Sequence, residues 1–306
     1  MNAPASRPTG TTVPPSSKER RALVARIGAL GDVLLTRRLT YSLSRAGFRS
    51  TLLAPARHAS LLLADPWIEV ILDSESSRLA EAFAGAWPGD IGLFDLAVIL
   101  SRSAELMHAV GSAAREVIQV PPEPTANDVP IWRQWTEGAQ SICTPFTGAL
   151  PRLEVDAPAA IAPGAVLLHP GSGSPEKNWP LAHFIEVGRR LVALGHRVAW
   201  IRGPAEADLD FIEPAAEVIE QPRVQTLAAT LARSSLFIGN DSGVSHLAAA
   251  VGAPTLAIFG PTSPTVWRPD GQRVETLRPE SGALVDLEVE RVVAVALDLA
   301  RLGTSA

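Results

Sequence analysis

Lysine is almost missing from this chain. Of its 27 Lys and Arg residues, two are lysines, Lys18 and Lys177, and the other 25 are arginines. A chain that writes its positive charge as Arg has reason to keep a lysine where a compact, flexible ammonium is needed. That makes Lys177 a candidate ligand group, and chance within an Arg-biased composition accounts for it equally well. The single cysteine, Cys143, excludes an internal disulfide and any multi-cysteine metal site, and fits a reducing, cytoplasmic setting. No apolar run reaches the length that crosses a bilayer. Residues 1–20 are rich in Pro, Ser and Thr and lack the apolar stretch of a secretory signal, so they read as a disordered leader. A formal net charge of −5 argues against nucleic acid as the main partner. Neither a G-x-G-x-x-G dinucleotide fingerprint nor a Walker A loop is present. The histidines His58, His108, His169, His183 and His196 lack ligand spacing, and no metal is expected.

What is there is a composition of 46% hydrophobic and 19% charged residues over 306 positions, enough for a sizeable core and for two α/β domains. Strand and helix patterns alternate in two series. The first has strands at Ala22–Ile27, Ser50–Leu53, Glu69–Leu72 and Leu96–Leu100. Its helices fall at Asp32–Ala46, near Arg78–Ala86 and at Ser103–Ala113. A four-proline loop, Pro121–Pro130, and a short helix at Ile131–Glu137 close it. Gly148–Gly164 carries three prolines and no period and reads as the linker. The second series has strand Val166–His169, helix Pro180–Leu194, strand Arg197–Ile201 and helices near Ala205–Ile212 and at Gln225–Arg233. A strand, turn and helix around Asn240–Gly243 follow, and an amphipathic helix, Leu287–Leu302, ends it. The expectation is α/β: a leader at 1–20, one Rossmann-like domain at 21–157 and a second at 158–306, with parallel sheets facing a central cleft.

Three segments carry chemistry. In Phe237–Pro261, a buried strand runs into Asn240-Asp241-Ser242-Gly243 at the start of a helix, where backbone amides and the positive helix end suit an anion. His246 lies one helical turn beyond, near enough to bond a phosphate; a partly buried structural histidine is the plainer reading. The second segment is His169-Pro-Gly-Ser-Gly-Ser-Pro-Glu-Lys-Asn-Trp-Pro180. Gly171 and Gly173 allow close approach, Ser172 and Ser174 offer hydroxyls, and Lys177 adds a charge, a set suited to a diphosphate. The third is Arg26-Ile-Gly-Ala-Leu-Gly-Asp32. Asp32 there is either an N-cap or, facing the cleft, a base kept ionised by the helix end. Glu206 follows a strand at the cleft edge, as a ribose-binding acid or a helix-start acid. Arg37, Arg38 and Arg102 are candidate acceptor contacts.

In this order the three segments resemble the heptosyltransferase family of bacterial glycosyltransferases, family 9. The resemblance implies a GT-B fold and an inverting, metal-independent glycosyltransferase. Its co-substrate would be a nucleotide-sugar, ADP-heptose, in place of a cofactor, and its acceptor lipopolysaccharide core. It puts Asp32 in the place of the catalytic base and Ser172 and Lys177 at the donor diphosphate. Asp241, Ser242, Gly243 and His246 fall in the second phosphate-binding element, and Glu206 aligns loosely with a ribose-binding acid. A lipid-linked acceptor would bring the protein to the inner membrane surface. The same donor chemistry on a protein or small-molecule acceptor, and a nucleotide-sugar-binding protein without turnover, remain open. The run Val33–Arg38 departs from the family's usual pattern after Gly-Asp.

Overall fold

The structure is a computed structural model that describes residues 20–203, 217–220 and 222–301. The first series runs β1 (Arg20–Ala25), α1 (Leu30–Arg45), β2 (Phe48–Ala54), a single turn α2 (Ala56–Ala59), β3 (Ile68–Asp73), β4 (Phe94–Ile99), α3 (Ala104–Gly111), β5 (Ala114–Gln119) and α4 (Ile131–Gly138). The second runs β6 (Val166–His169), α5 (Leu181–Ala193), β7 (Val198–Arg202), β8 (Glu217–Glu220), α6 (Val224–Leu231), β9 (Leu236–Asn240), α7 (Gly243–Ala250), β10 (Thr255–Ile258), a turn α8 (Pro264–Trp267), β11 (Val274–Leu277) and α9 (Val289–Arg301). The strands form two sheets, ordered β3-β2-β1-β4-β5 and β11-β10-β9-β6-β7-β8. Every strand pair is parallel.

Both sheets are buried on their two faces, as parallel sheets must be. In β1 the pleat sends Ala22 and Val24 toward one core and Leu23 and Ala25 toward another. The core that holds Ala22 and Val24 continues across the molecule to Leu167, Phe237 and Leu247 of the second series. Both series therefore rest on one shared apolar layer. Helix α1 lies in that layer and is buried almost all round, including its polar residues Thr36, Arg37, Arg38, Thr40 and Ser42.

Buried polar groups need partners, and those of α1 find them in distant segments. Arg37 makes a two-point ion pair with Asp65 at 2.7 and 2.8 Å and donates to the Pro151 carbonyl. Burial pushes the Asp65 carboxyl up, and the bond from Arg37 pulls it back. Arg38 grips Asp270 at 2.6 Å through two nitrogens, donates to the carbonyls of Phe146 and Gly148, and lies over the Trp132 ring. Arg37 and Arg38 therefore hold the linker and the second series against α1. That corrects their expected role as acceptor contacts: their guanidiniums are already spent.

Four further expectations change. Arg20 opens β1, so it does not belong to the leader; residues 1–19 lie outside the described residues, as does the helix expected near Ala205–Ile212. The helix expected at Arg78–Ala86 is a 3-10 segment, Ser77–Ala84, stopped by Gly85 at φ +94°. Helix α1 begins at Leu30, ahead of Asp32. Strands β5, β8 and β11 had no counterpart in the sequence reading. All three lie at sheet edges. Their sequences Ala-Arg-Glu-Val-Ile-Gln, Glu-Val-Ile-Glu and Val-Glu-Thr-Leu carry the charges that protect an edge and hide the apolar run.

Candidate active site in the interdomain cleft

Open α/β sheets bind ligands beyond the carboxyl ends of the strands where the strand order reverses. In the first sheet that point lies between β1 and β4, and in the second between β6 and β9. The segment Arg26–Asp32 leaves β1; His169–Pro180 leaves β6; Asn240–Gly243 leaves β9. All three motifs thus sit at switch points, and they share one cleft of about 440 Å³. Its walls include Arg26, Gly31, Asp32, Gly173, Lys177, Asp241, Ser242, Gly243 and His246.

Asp32 stands in the first turn of α1. Its Oδ2 accepts the Ala29 amide at 3.1 Å, and its Oδ1 pairs with Arg26 Nη2 at 2.8 Å. It is therefore a first-turn acid reaching back to the cap position, where Ala29 offers no side-chain acceptor. Helix-capping and cleft-facing roles coexist in one carboxylate. Arg26 in turn rests over the buried Trp135 ring, 5.2 Å from its centroid. A Cβ on Gly28 would lie 2.7 Å from Asp32 Oδ2, so a side chain there would displace the carboxylate.

Across the cleft, Lys177 Nζ pairs with Asp241 Oδ2 at 2.8 Å, and Thr262 Oγ1 donates to the same oxygen at 2.6 Å. Asp241 is only 6% exposed, and these two partners satisfy its buried carboxylate. Asn240, fully buried, ties the loops after β6 and β9 together: its Nδ2 donates to the Pro170 carbonyl at 2.6 Å and its Oδ1 accepts the Trp179 amide at 3.0 Å. Ser242 holds the N-cap position of α7 in an extended conformation without a side-chain cap bond, and the first amides of that helix have no intrahelical acceptor. These amides and the Lys177 ammonium converge on the same cleft.

The helices α1 and α7 meet at their N-terminal ends. A Cβ on Gly31 would lie 2.8 Å from His246 Cδ2, and one on Gly243 would lie 2.8 Å from Leu30 Cβ. His246 is buried against α1, its Nδ1 has no hydrogen-bond partner, and burial lowers its basicity well below the ordinary range for histidine. It therefore lines the cleft as a neutral imidazole.

Ser172 is half-buried, and its hydroxyl donates to the Ser174 carbonyl at 2.7 Å and accepts the Ser174 amide, bracing the loop that carries Lys177. Glu206 lies outside the described residues. Arg102 is exposed and paired with Glu123 at 2.8 Å. Sequence reading missed Arg26, Glu123, Thr262 and Trp267, which also line the cleft. Arg26 could have been found as the residue that directly follows β1; Thr262 follows the Gly-Pro that ends the Phe237–Pro261 segment. Among the described residues no group of three or more His, Cys, Asp or Glu could hold a metal ion. No helix of the described residues is long and apolar enough to cross a membrane.

Two parallel α/β sheets with facing switch points and a cleft between them define a GT-B protein. The family model of glycosyltransferase family 9 (heptosyltransferase) matches residues 136–294, and the chain belongs to that family. It is 34% identical over 120 residues to lipopolysaccharide heptosyltransferase 3 of Escherichia coli, a match covering 36% of this chain and 35% of that protein. The chain thus spans about a third of the length of that curated relative, 35%. In fold it is similar to a glycosyl transferase family 9 structure from Veillonella parvula, with a TM-score of 0.76 and 17% identity, covering 94% of this chain and 99% of that one. It is similar also to the E. coli ADP-heptose lps heptosyltransferase II, with a TM-score of 0.75 and 17% identity, covering 94% and 100%.

Proposed function

We propose that the protein is an inverting glycosyltransferase that moves heptose from ADP-heptose to a hydroxyl of a lipopolysaccharide-core or related glycan. The carrying observation is that Asp32 of the first series and the Lys177–Asp241 pair of the second line one cleft. In this reading the donor diphosphate lies between the loops after β6 and β9, against the Lys177 ammonium and the first amides of α7. Asp32 takes the proton of the acceptor hydroxyl as its oxygen bonds the anomeric carbon, and the sugar–phosphate bond breaks on the opposite face to release ADP. Stabilising the leaving diphosphate is the larger share of the catalysis, since one preorganised donor of this kind typically contributes about 2.7–4 kcal/mol. The first domain, residues 21–157, is the acceptor side, and the second, 158–306, the donor side. Ser172 braces the donor loop, and ribose recognition falls to Glu206.

Family membership and the names of the relatives support heptose as the transferred sugar. The test is a panel of sugar nucleotides offered to the full chain, read by the shift of its thermal unfolding. A ligand present at about 100 times its Kd stabilises the folded state by about 2.7 kcal/mol, so ADP-heptose gives a clear rise. A rise with UDP- or GDP-sugars and none with ADP-heptose overturns the donor assignment.

A further inference from the structure

A second cavity, of about 270 Å³, lies further along α1 and α7 than the cleft, and no residue lines both. Helix α1 sends Asp32 and Leu35 to the cleft, and Arg37 and Arg38 to this cavity. Helix α7 sends Gly243 and His246 to the cleft, and Ala249 and Ala250 to this cavity. The remaining walls are residues 147–152, where the first series leads into the linker, and residues 270–273, between α8 and β11. The cavity therefore lies where both series and their connection meet, away from the proposed chemistry.

Its walls are fixed by bonds already made. Arg37 and Arg38 hold the carbonyls of Pro151 and Gly148 while they pair with Asp65 and Asp270. The Leu153 amide donates to the Ala250 carbonyl at 2.8 Å and docks the linker on the end of α7. The Ala249 carbonyl accepts from the Gly252 amide at 3.1 Å, and the Ala248 carbonyl from the Ala253 amide at 2.9 Å. The last carbonyls of α7 are thus capped by amides of the chain itself. Gly271 packs against the same turn, where a Cβ would lie 2.8 Å from the Ala249 oxygen.

Four arginines line the cavity, against one acid, Asp270. Arg37 and Arg38 are committed to Asp65 and Asp270, but the other two are not held in this way. Arg273 donates from Nη2 to the Leu299 carbonyl at 2.8 Å, and among the described residues no acid pairs with it. Arg152 meets Glu154 at 3.3 and 3.4 Å, and both of these side chains are more than half exposed. An exposed pair of this kind contributes little, so Arg152 exchanges Glu154 for another anion at small cost. The Arg152 stem lies over Gly252, where a Cβ would come 2.5 Å from Arg152 Cδ. Guanidiniums bond phosphate oxygens through paired N–H donors, and a cavity lined mainly by one sign of charge concentrates the opposite ion.

We propose that this cavity binds a small phosphate ion, held by Arg152 of the linker and Arg273 of the second series, and that the ion ties those two segments together. Size sets the ligand: sites for drug-sized molecules run to about 300–1,000 Å³, and this smaller cavity suits orthophosphate without a nucleoside. The site is separate from the donor cleft and does not depend on what the cleft transfers.

The experiment titrates the full chain with orthophosphate while saturating ADP fills the donor cleft, and follows thermal unfolding. Chloride at matched ionic strength is the control for screening. The wild type should show a saturable rise in unfolding temperature with phosphate that chloride does not reproduce. Arg152→Ala and Arg273→Gln should each weaken phosphate binding by about ten-fold or more, the loss of one charge-assisted contact. Their ADP affinity should stay within about two-fold of the wild type, as expected for separate sites. Lys177→Met, which alters the cleft, should keep the phosphate response. A response that chloride reproduces, or that both arginine variants retain, overturns the site. A response lost in Lys177→Met and retained in the arginine variants puts the phosphate in the donor cleft and overturns it equally.

Discussion

Arg38 and Asp270 lie 232 positions apart in sequence and form a two-point ion pair at 2.6 Å, joining α1 to the second series. Arg38 also holds the linker through the Phe146 and Gly148 carbonyls. One residue of the first series thus grips both the connection and the loop between α8 and β11 of the second series, which ties the two series together.

Removing half of this pair should destabilise the protein. Arg38→Ala leaves the Asp270 carboxylate and two carbonyls without their donor, at a cost of about 2–4 kcal/mol. Denaturant unfolding of Arg38→Ala, Asp270→Ala and the double variant forms a cycle whose coupling term measures the pair. Strict additivity would show that the ion pair contributes nothing.

Gly31 and Gly243 are close-approach glycines. Gly31→Ala drives a methyl into His246, and overpacking of this kind costs about 1–3 kcal/mol. The helices α1 and α7 should part at their N-terminal ends, lowering thermal stability and ADP affinity together. His246→Ala in the same chain makes room for the methyl and should restore part of both, which calorimetry and thermal unfolding would detect.

Lys177→Met leaves the buried Asp241 carboxylate with Thr262 alone as donor. Both the diphosphate and Asp241 lose their cation, so the dissociation constant for ADP should rise by about ten-fold or more. Lys177→Arg keeps the charge but brings a planar fork on a longer stem, and should recover only part of the affinity. Calorimetric titration with ADP checks both, and equal affinity in Lys177→Met would refute the contact.

His246 sets a pH dependence. Burial lowers its pKa in the folded protein below the ordinary 6.5. As pH falls through about 6.5, the unfolded chain takes up a proton that the native state refuses, so stability drops. His58, also lowered by burial, acts in the same direction. The unfolding temperature should fall as the pH is lowered from about 7.5 to about 5.5, and His246→Gln should flatten that fall. An identical slope in the variant would mean that His246 takes its proton while folded.

The sequence was most legible where strands are central and turns are built on glycine. The segments leaving β1, β6 and β9 follow uninterrupted apolar runs, and all three reach the cleft. The edge strands β5, β8 and β11 were invisible because their charged residues break the apolar run. Arg37 and Arg38 misled for a related reason. Two adjacent arginines on a helix resemble a solvated or ligand-binding face, and nothing local announces Asp65 or Asp270 as their partners. Ser172 bonds the backbone of its own loop, a local relation that the sequence alone does not display. Glu123 was missed because its loop is held in shape by Gln134 of α4, through Thr125, Ala126 and Val129, a tertiary relation without a sequence signature.

The central claim, transfer by Asp32, has a direct measurement. Asp32→Asn keeps the shape of the side chain and removes the proton acceptor. Its ADP-heptose affinity and its acceptor-dependent ADP release should be compared with those of the wild type. The account predicts donor binding within about two-fold and a loss of release of about 10²-fold or more, the usual contribution of a general base. Release within a few-fold of wild type, with the donor bound, would contradict it.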